Sequence, residues 1–181
     1  VKGIDLEIEK PWAPIGLPLE SVSVEISRGW HQAFIALGSN MGDKKKYLDD
    51  AVEALDELEG CRIVTVADYI ETEPYGGVEQ DDFLNSVLLM DTRLEPDVLL
   101  EKLHEIEAAA DRKRTIRWGP RTLDLDIIFY DDMLLHTPTL TLPHPEMHKR
   151  SFVLDPLVQI APWAWHPAIG KTVRELWEEL K

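Results

Sequence analysis

Between Leu123 and Phe129, apolar side chains alternate with two carboxylates, Asp124 and Asp126. Alternate residues of a β-strand point to the same face. The spacing therefore predicts a strand over 122–130, with both acids on one face and Leu123, Leu125, Ile127 and Phe129 buried on the other. Such a strand requires a sheet beside it and an apolar layer behind it.

The residues before this strand are strongly basic. Of the ten residues 112–121, five are Arg or Lys (Arg112, Lys113, Arg114, Arg117, Arg121) and none is acidic. Two hard oxygen donors side by side suit Mg²⁺, which takes one or two carboxylates plus substrate phosphates. Arginines grip phosphate with two parallel hydrogen bonds. Gly119-Pro120 forms a turn that aims Arg121, and Trp118 is placed to cover a site and exclude water. An isolated Asp-x-Asp is more often an exposed acidic pair, and an isolated basic run a solvated surface. Their junction points to an enzyme that moves a phosphorus group of Mg-ATP, with arginines and metal supplying positioning and charge stabilisation.

The remaining pattern sets the fold. Residues 33–37 read as a strand ending at Gly38. Residues 44–59 carry Leu48, Val52, Leu55 and Leu58 at helical spacing, with Gly60 as a stop. Residues 61–71 read as a strand, 72–82 as a mobile loop, and 83–91 as another strand. A helix opens at Pro96 and lines up Leu99, Leu103, Ile106 and Ala110. The order is strand, helix, strand, strand, helix, strand. It predicts an α+β, ferredoxin-like split βαβ sheet with helices on one face and the other face open for a site. Residues 131–181 begin Pro-rich and are expected to wrap the domain, closing with an amphipathic helix over 172–180 that turns Val173, Leu176 and Trp177 inward.

Other motifs are weaker. Gly38-Ser39-Asn40-Met41-Gly42-Asp43 lacks the Gly-Lys-Ser/Thr of a P-loop and reads as a tight turn with a polar helix cap. Phe83 and Asn85 share a strand face; a ring beside an amide suits a flat polar heterocycle, although a core Phe near a turn Asn is the commoner arrangement. His144 and His148 lack the His-Glu-x-x-His spacing of a zinc helix. His144 and Arg150 fit phosphate contacts better, and Phe152 is a second candidate stacking ring. The single cysteine, Cys61, excludes an internal disulfide, fits a reducing cytoplasm and reads as a small buried group. A net charge of −15, from 34 acidic and 19 basic residues, argues against nucleic acid or anionic membrane as partner.

Five stretches together resemble the 6-hydroxymethyl-7,8-dihydropterin pyrophosphokinase family of folate biosynthesis. They are Ala-Leu-Gly-Ser-Asn-Met-Gly-Asp (36–43), Glu-Thr-Glu-Pro-Tyr-Gly (71–76), Asp-Phe-Leu-Asn (82–85), Arg-Trp-Gly-Pro-Arg-Thr-Leu-Asp-Leu-Asp-Ile-Ile (117–128) and Leu-Pro-His-Pro (142–145). The resemblance implies transfer of the terminal diphosphate of ATP to the pterin hydroxymethyl group, releasing AMP. It implies that Asp124 and Asp126 hold two Mg²⁺ ions, and that Arg112, Arg121, His144 and Arg150, with Arg114 and Arg117, contact ATP or stabilise transfer. Asn85 would hydrogen-bond a pterin held between Phe83 and Phe152. Thr72, Pro74 and Tyr75 would line its pocket, and Trp118 would sit on a closing loop. Two positions depart from the family pattern: Phe83 stands where Tyr is common, and Asp111 where Gly is frequent.

Residues 1–31 resemble the C-terminal tail of dihydroneopterin aldolase, through Glu-Lys-Pro-Trp-Ala-Pro (9–14) and Val-Ser-Val-Glu-Ile (22–26). With a first residue other than Met, the expectation is a piece of a bifunctional aldolase–pyrophosphokinase, with the pyrophosphokinase domain over 32–181. Two rival readings remain. A nucleotidyl transferase with the same Asp pair would release pyrophosphate. An RNA-binding module of the same sheet topology would carry basic and aromatic residues where this chain has two acids.

Overall fold

The strand carrying the acids pairs antiparallel with the first apolar run, and this pairing anchors the sheet. The computed structural model describes residues 29–73, 81–111 and 122–181. Gln32–Lys181 forms one unit. Among the described residues the order is β1 (His31–Ser39), α1 (Lys44–Glu57), β2 (Cys61–Val66), β3 (Ile70–Thr72), β4 (Phe83–Thr92), α2 (Pro96–Asp111), β5 (Asp124–Tyr130), β6 (Leu135–His136), β7 (Thr141–Leu142), α3 (Ser151–Ile160), β8 (Trp165–His166), β9 (Lys171–Thr172) and α4 (Val173–Leu180). The main sheet runs β2-β4-β1-β5, with β3 also on β4. The fold is a mixed helix-and-sheet one.

The helices form where periodicity predicts. In α1, Leu48, Ala51 and Leu55 are buried and Asp43 caps the start by accepting from the Lys46 amide. Gly60, at φ +79°, supplies the left-handed residue that turns the chain into β2. In α2, Leu99, Leu103 and Ala110 are buried. With Ile35, Leu37, Leu88, Met90, Leu123, Leu125 and Ile127, these side chains make one apolar core. Cys61 joins it as expected, its Sγ 3.2 Å from Thr92 Oγ1, and burial pushes its thiol pKa up.

Three expectations need correction. Helices cover both faces of the sheet rather than one. The C-terminal segment folds back as α3 and α4, and Val153, Leu154, Leu157, Val173 and Leu176 close a second core on Phe34, Val87, Leu89, Ile128 and Phe129. Central β4 is consequently buried on both faces from Asn85 to Thr92. Phe129 does not share the face of Leu125. Phe34 pairs with Phe129 and Ile35 with Ile127, so Ile128 is an extra residue, a β-bulge that shifts the side-chain alternation. Past it, Phe129 points into the second core and Tyr130 into the first. The predicted strand over 61–71 is broken at Ala67–Tyr69. There Gln159 of α3 accepts from the Asp68 amide at 2.8 Å and donates to Asp68 Oδ2 at 2.7 Å, drawing this backbone to the helix.

The final helix begins where expected, at a capping box of Thr172 and Glu175. Val173 and Leu176 are buried, and the Trp177 indole donates to Asp155 Oδ1 at 2.8 Å, tying α4 to α3. Leu154 is fully buried between α3 and the sheet. Leu154→Ala is expected to lower unfolding free energy by about 2–5 kcal/mol, read by urea denaturation. A loss below about 1 kcal/mol would mean the second core is not a closed one.

Candidate active site

Strand alternation builds the floor of a cleft. On β5, Asp124, Asp126 and Ile128 face it; on β1, Ala36 and Gly38; on β4, Asn85. Gly38 pairs with Asp124 and Ala36 with Asp126. The residues opposite the two carboxylates are thus the smallest available, and space remains above them. The cleft holds about 220 Å³. Asp126 is exposed and Asp124 half-buried, while Leu125 between them is 2% exposed.

Asn85 is almost fully buried, and its Nδ2 donates to Thr72 Oγ1 at 2.6 Å. A Cβ at Gly38 would lie 2.7 Å from Asn85 Oδ1, closer than real Cβ atoms come. The absent side chain of Gly38 and the hydroxyl of Thr72 together fix the Asn85 amide. Asn40 Nδ2 and Lys44 Nζ donate to the carbonyls of Asp81 and Asp82, at 3.4 and 2.8 Å, and hold the entry to β4.

The other wall comes from the segment after β5. The His144 amide donates to the Ile128 carbonyl at 3.0 Å, placing this histidine beside the end of the acidic strand. His144 Nδ1 accepts from the Glu146 amide at 3.1 Å, which leaves the second ring nitrogen to carry the proton. Burial lowers the imidazole pKa, against the opposing pull of the Asp126 carboxylate. At neutral pH the ring is an uncharged N–H donor. Arg150 precedes α3, with its guanidinium carbon 5.6 Å from the centroid of the Phe152 ring, a cation–π contact.

Of the residues expected at a site, Thr72, Phe83, Asn85, Asp124, Asp126, His144, Arg150 and Phe152 line this one cleft. Pro74, Tyr75, Arg112, Arg114, Arg117, Trp118 and Arg121 lie outside the described residues. Sequence reading overlooked Gly38 and Ala36 as site residues. Their signal was the parity they share in β1, two small residues where a strand normally carries larger ones.

Among the described residues no three His, Cys, Asp or Glu side chains gather into a metal cage. The donor set is instead a pair of carboxylates open to a cleft. It fits Mg²⁺, whose coordination is commonly completed by phosphate oxygens and water.

A family model described as 7,8-dihydro-6-hydroxymethylpterin-pyrophosphokinase matches residues 34–162. The chain is 44% identical over 144 residues to the 2-amino-4-hydroxy-6-hydroxymethyldihydropteridine pyrophosphokinase of Methylorubrum extorquens, covering 80% of this chain and 90% of that one. It is 41% identical over 145 residues to the bifunctional protein FolKE of Lactococcus lactis, covering 79% of this chain and 42% of the relative. The chain thus spans less than half the length of this fused relative and most of the unfused one. Among solved structures, wild-type HPPK-DHPS of Plasmodium falciparum superposes with a TM-score of 0.66 at 15% identity, over 83% of this chain and 44% of that one; this likeness concerns the fold. The chain belongs to the 7,8-dihydro-6-hydroxymethylpterin-pyrophosphokinase family. The activity of that family is pyrophosphoryl transfer to hydroxymethyldihydropterin in folate biosynthesis, with ATP as co-substrate.

Gly38→Ala is expected to push the Asn85 amide off Thr72. A shifted Asn85 side-chain NH₂ signal in a ¹⁵N correlation spectrum would report it. An unmoved signal would show that the amide is not held by this contact.

Proposed function

We propose that the cleft over Asp124 and Asp126 is where this chain binds ATP and a dihydropterin side by side and carries out the transfer. The observation that carries this reading is the convergence of two carboxylates, a neutral histidine, an arginine, a buried amide and two phenylalanines on one cleft.

The pterin end lies at Asn85, with Thr72 orienting the amide and Phe83 and Phe152 offering ring faces. A buried amide with one N–H committed to Thr72 keeps an N–H and a carbonyl for a heterocycle edge. By the family resemblance, Pro74 and Tyr75 would contribute to pterin binding, as would Trp118. The phosphate end lies at Asp124 and Asp126. They would hold two Mg²⁺ ions, whose chemistry is to neutralise charge gathering on the bridging phosphate oxygens. His144 donates its ring N–H toward phosphate oxygens, and Arg150 adds positive charge at the rim. By the family resemblance, Arg112, Arg114, Arg117 and Arg121 would contact the nucleotide or stabilise the transfer.

In the transfer, the pterin hydroxyl oxygen bonds to the β-phosphorus of ATP. The bond from that phosphorus to the α–β bridging oxygen breaks, AMP leaves, and the hydroxyl proton is lost to solvent. The residues align the two substrates and screen charge, and no protein nucleophile takes part.

The strand order, two βαβ halves interleaved in one sheet, supports the ferredoxin-like split βαβ reading with a Pro-rich C-terminal extension. Residues 1–31 are read as the end of a dihydroneopterin aldolase preceding the pyrophosphokinase domain at 32–181. Fusion of other folate enzymes in FolKE and HPPK-DHPS relatives is the precedent, although neither of those names includes an aldolase. Among the described residues no helix is long and apolar enough to cross a membrane. We read the location as cytoplasmic, which the single cysteine fits, and expect no nucleic-acid or membrane partner for so acidic a chain.

Incubation with Mg-ATP and 6-hydroxymethyl-7,8-dihydropterin is expected to give AMP and the diphosphorylated pterin. Free pyrophosphate instead would indicate nucleotidyl transfer. Asp126→Ala should reduce turnover by at least about 100-fold and weaken Mg-ATP binding, with the circular dichroism spectrum unchanged. Retained turnover would remove the metal assignment.

A further inference from the structure

Among the described residues β5 ends the main sheet: β1 pairs with one side of it, and no other described strand of the main sheet pairs with the second side. A free edge leaves backbone groups to be satisfied by something other than the sheet. At the residue between the two acids this is done by a side chain. Glu107 of α2 accepts the Leu125 amide on its Oε2 at 2.7 Å.

Glu107 lies four residues before the end of α2, where the helix dipole favours cations, and it is half-buried. A carboxylate in such a position is a place to look for a role.

The geometry explains why a carboxylate there would matter. Leu125 faces the first core, and its neighbours on either side, Asp124 and Asp126, face the cleft. Rotating the backbone at Leu125 would swing both carboxylates. β1 restrains one edge, through Gly38 opposite Asp124 and Ala36 opposite Asp126. Glu107 restrains the other.

We propose that Glu107 is a positioning residue for the Asp124–Asp126 pair: it clamps the edge-strand amide between them and so holds the two carboxylates ready for a divalent cation bridging to a nucleotide. This rests on the reading of the pair as the Mg²⁺–nucleotide site. Glu107 touches no reacting atom, and its effect passes through the strand. A charge-assisted hydrogen bond to a backbone amide is among the stronger ones a side chain makes.

The test uses the full chain and its Glu107→Ala and Glu107→Gln variants. Glutamine keeps an acceptor oxygen at the same reach but loses the charge. One readout is hydrogen exchange of the Leu125 amide by NMR. The other is calorimetric affinity for Mg²⁺ with a non-hydrolysable ATP analogue.

The expectation for Glu107→Ala is at least tenfold faster Leu125 exchange and about tenfold weaker Mg²⁺–nucleotide binding, with Glu107→Gln restoring both to within about twofold–threefold. Faster exchange with unchanged affinity would overturn the inference, as would Glu107→Gln failing as badly as Glu107→Ala, since charge rather than the hydrogen bond would then act. If Glu107→Ala does not fold, Glu107→Asp, shorter by one methylene, gives the same comparison. Asp126→Ala separates the two levels. If it leaves Mg²⁺–nucleotide affinity unchanged, the metal reading falls and takes this inference with it. If it abolishes affinity while Glu107→Ala does not alter it, only the clamp is wrong.

Discussion

Among the described residues β5 is an edge strand, and its pairing with β1 decides where Asp124 and Asp126 stand. The pairing sets Gly38 and Ala36 across from the acids and Leu37 across from Leu125. One side of the pair is therefore a cleft with space for a ligand, and the other a closed apolar core. A slip of one residue would bury both carboxylates and expose the leucines, a change of several kcal/mol in the wrong direction. The hydrophobic side of the strand thus enforces the register that the polar side uses. The bulge at Ile128 ends this arrangement after the second acid and hands Phe129 to the second core.

That second core does more than cover the sheet. α3 is held by Val153, Leu154 and Leu157, and its first turn carries Phe152, with Arg150 just before it. Packing of α3 therefore fixes two residues of the cleft wall. The Gln159–Asp68 pair ties the far end of the helix to the chain just before β3, which carries Thr72. Thr72 in turn orients Asn85. The wall bearing Phe152 and the floor bearing Asn85 are linked through side-chain hydrogen bonds on three elements rather than through a single loop.

Strand parity makes the acidic pair legible in the sequence, because a period of two is local and is enforced by burial. The same holds for α1 and α2, whose apolar spacing and caps agree. Three things were not legible. The contact between Gly38 and Asn85 joins residues 47 positions apart, and nothing near either one announces it. The bulge at Ile128 reflects packing of Phe129 on Phe34 and His166, which only the folded sheet brings together. The third is α3: Pro156 lies inside it and cannot donate to the Phe152 carbonyl, so local preference argues for a break. Burial of Val153, Leu154, Pro156 and Leu157 overrides that preference. Read alone, Phe83 and Asn85 look like a core Phe beside a turn Asn, and Phe152 is a candidate stacking ring; it is the family resemblance that joins them in one expected pocket.

The charge balance of the cleft constrains what it can hold. Carboxylates two positions apart on one strand face sit about 7 Å apart along the chain, and at an effective dielectric near 20 their repulsion is of order 2 kcal/mol. Burial lowers the pKa of the neighbouring His144, so this imidazole adds no positive charge at neutral pH. Arg150, over the Phe152 ring, contributes a single positive charge at the rim. The body of the protein adds to the difficulty, with a net charge of −15. A triphosphate brought alone into such a place would meet more negative charge, not less. On the proposed reading, divalent cations held by Asp124 and Asp126 would reverse the sign of the interaction for a nucleotide in this cleft. An acidic protein would then attract ATP over a short range, centred on one pair of side chains, while the negative charge spread over the rest of the chain repels longer polyanions.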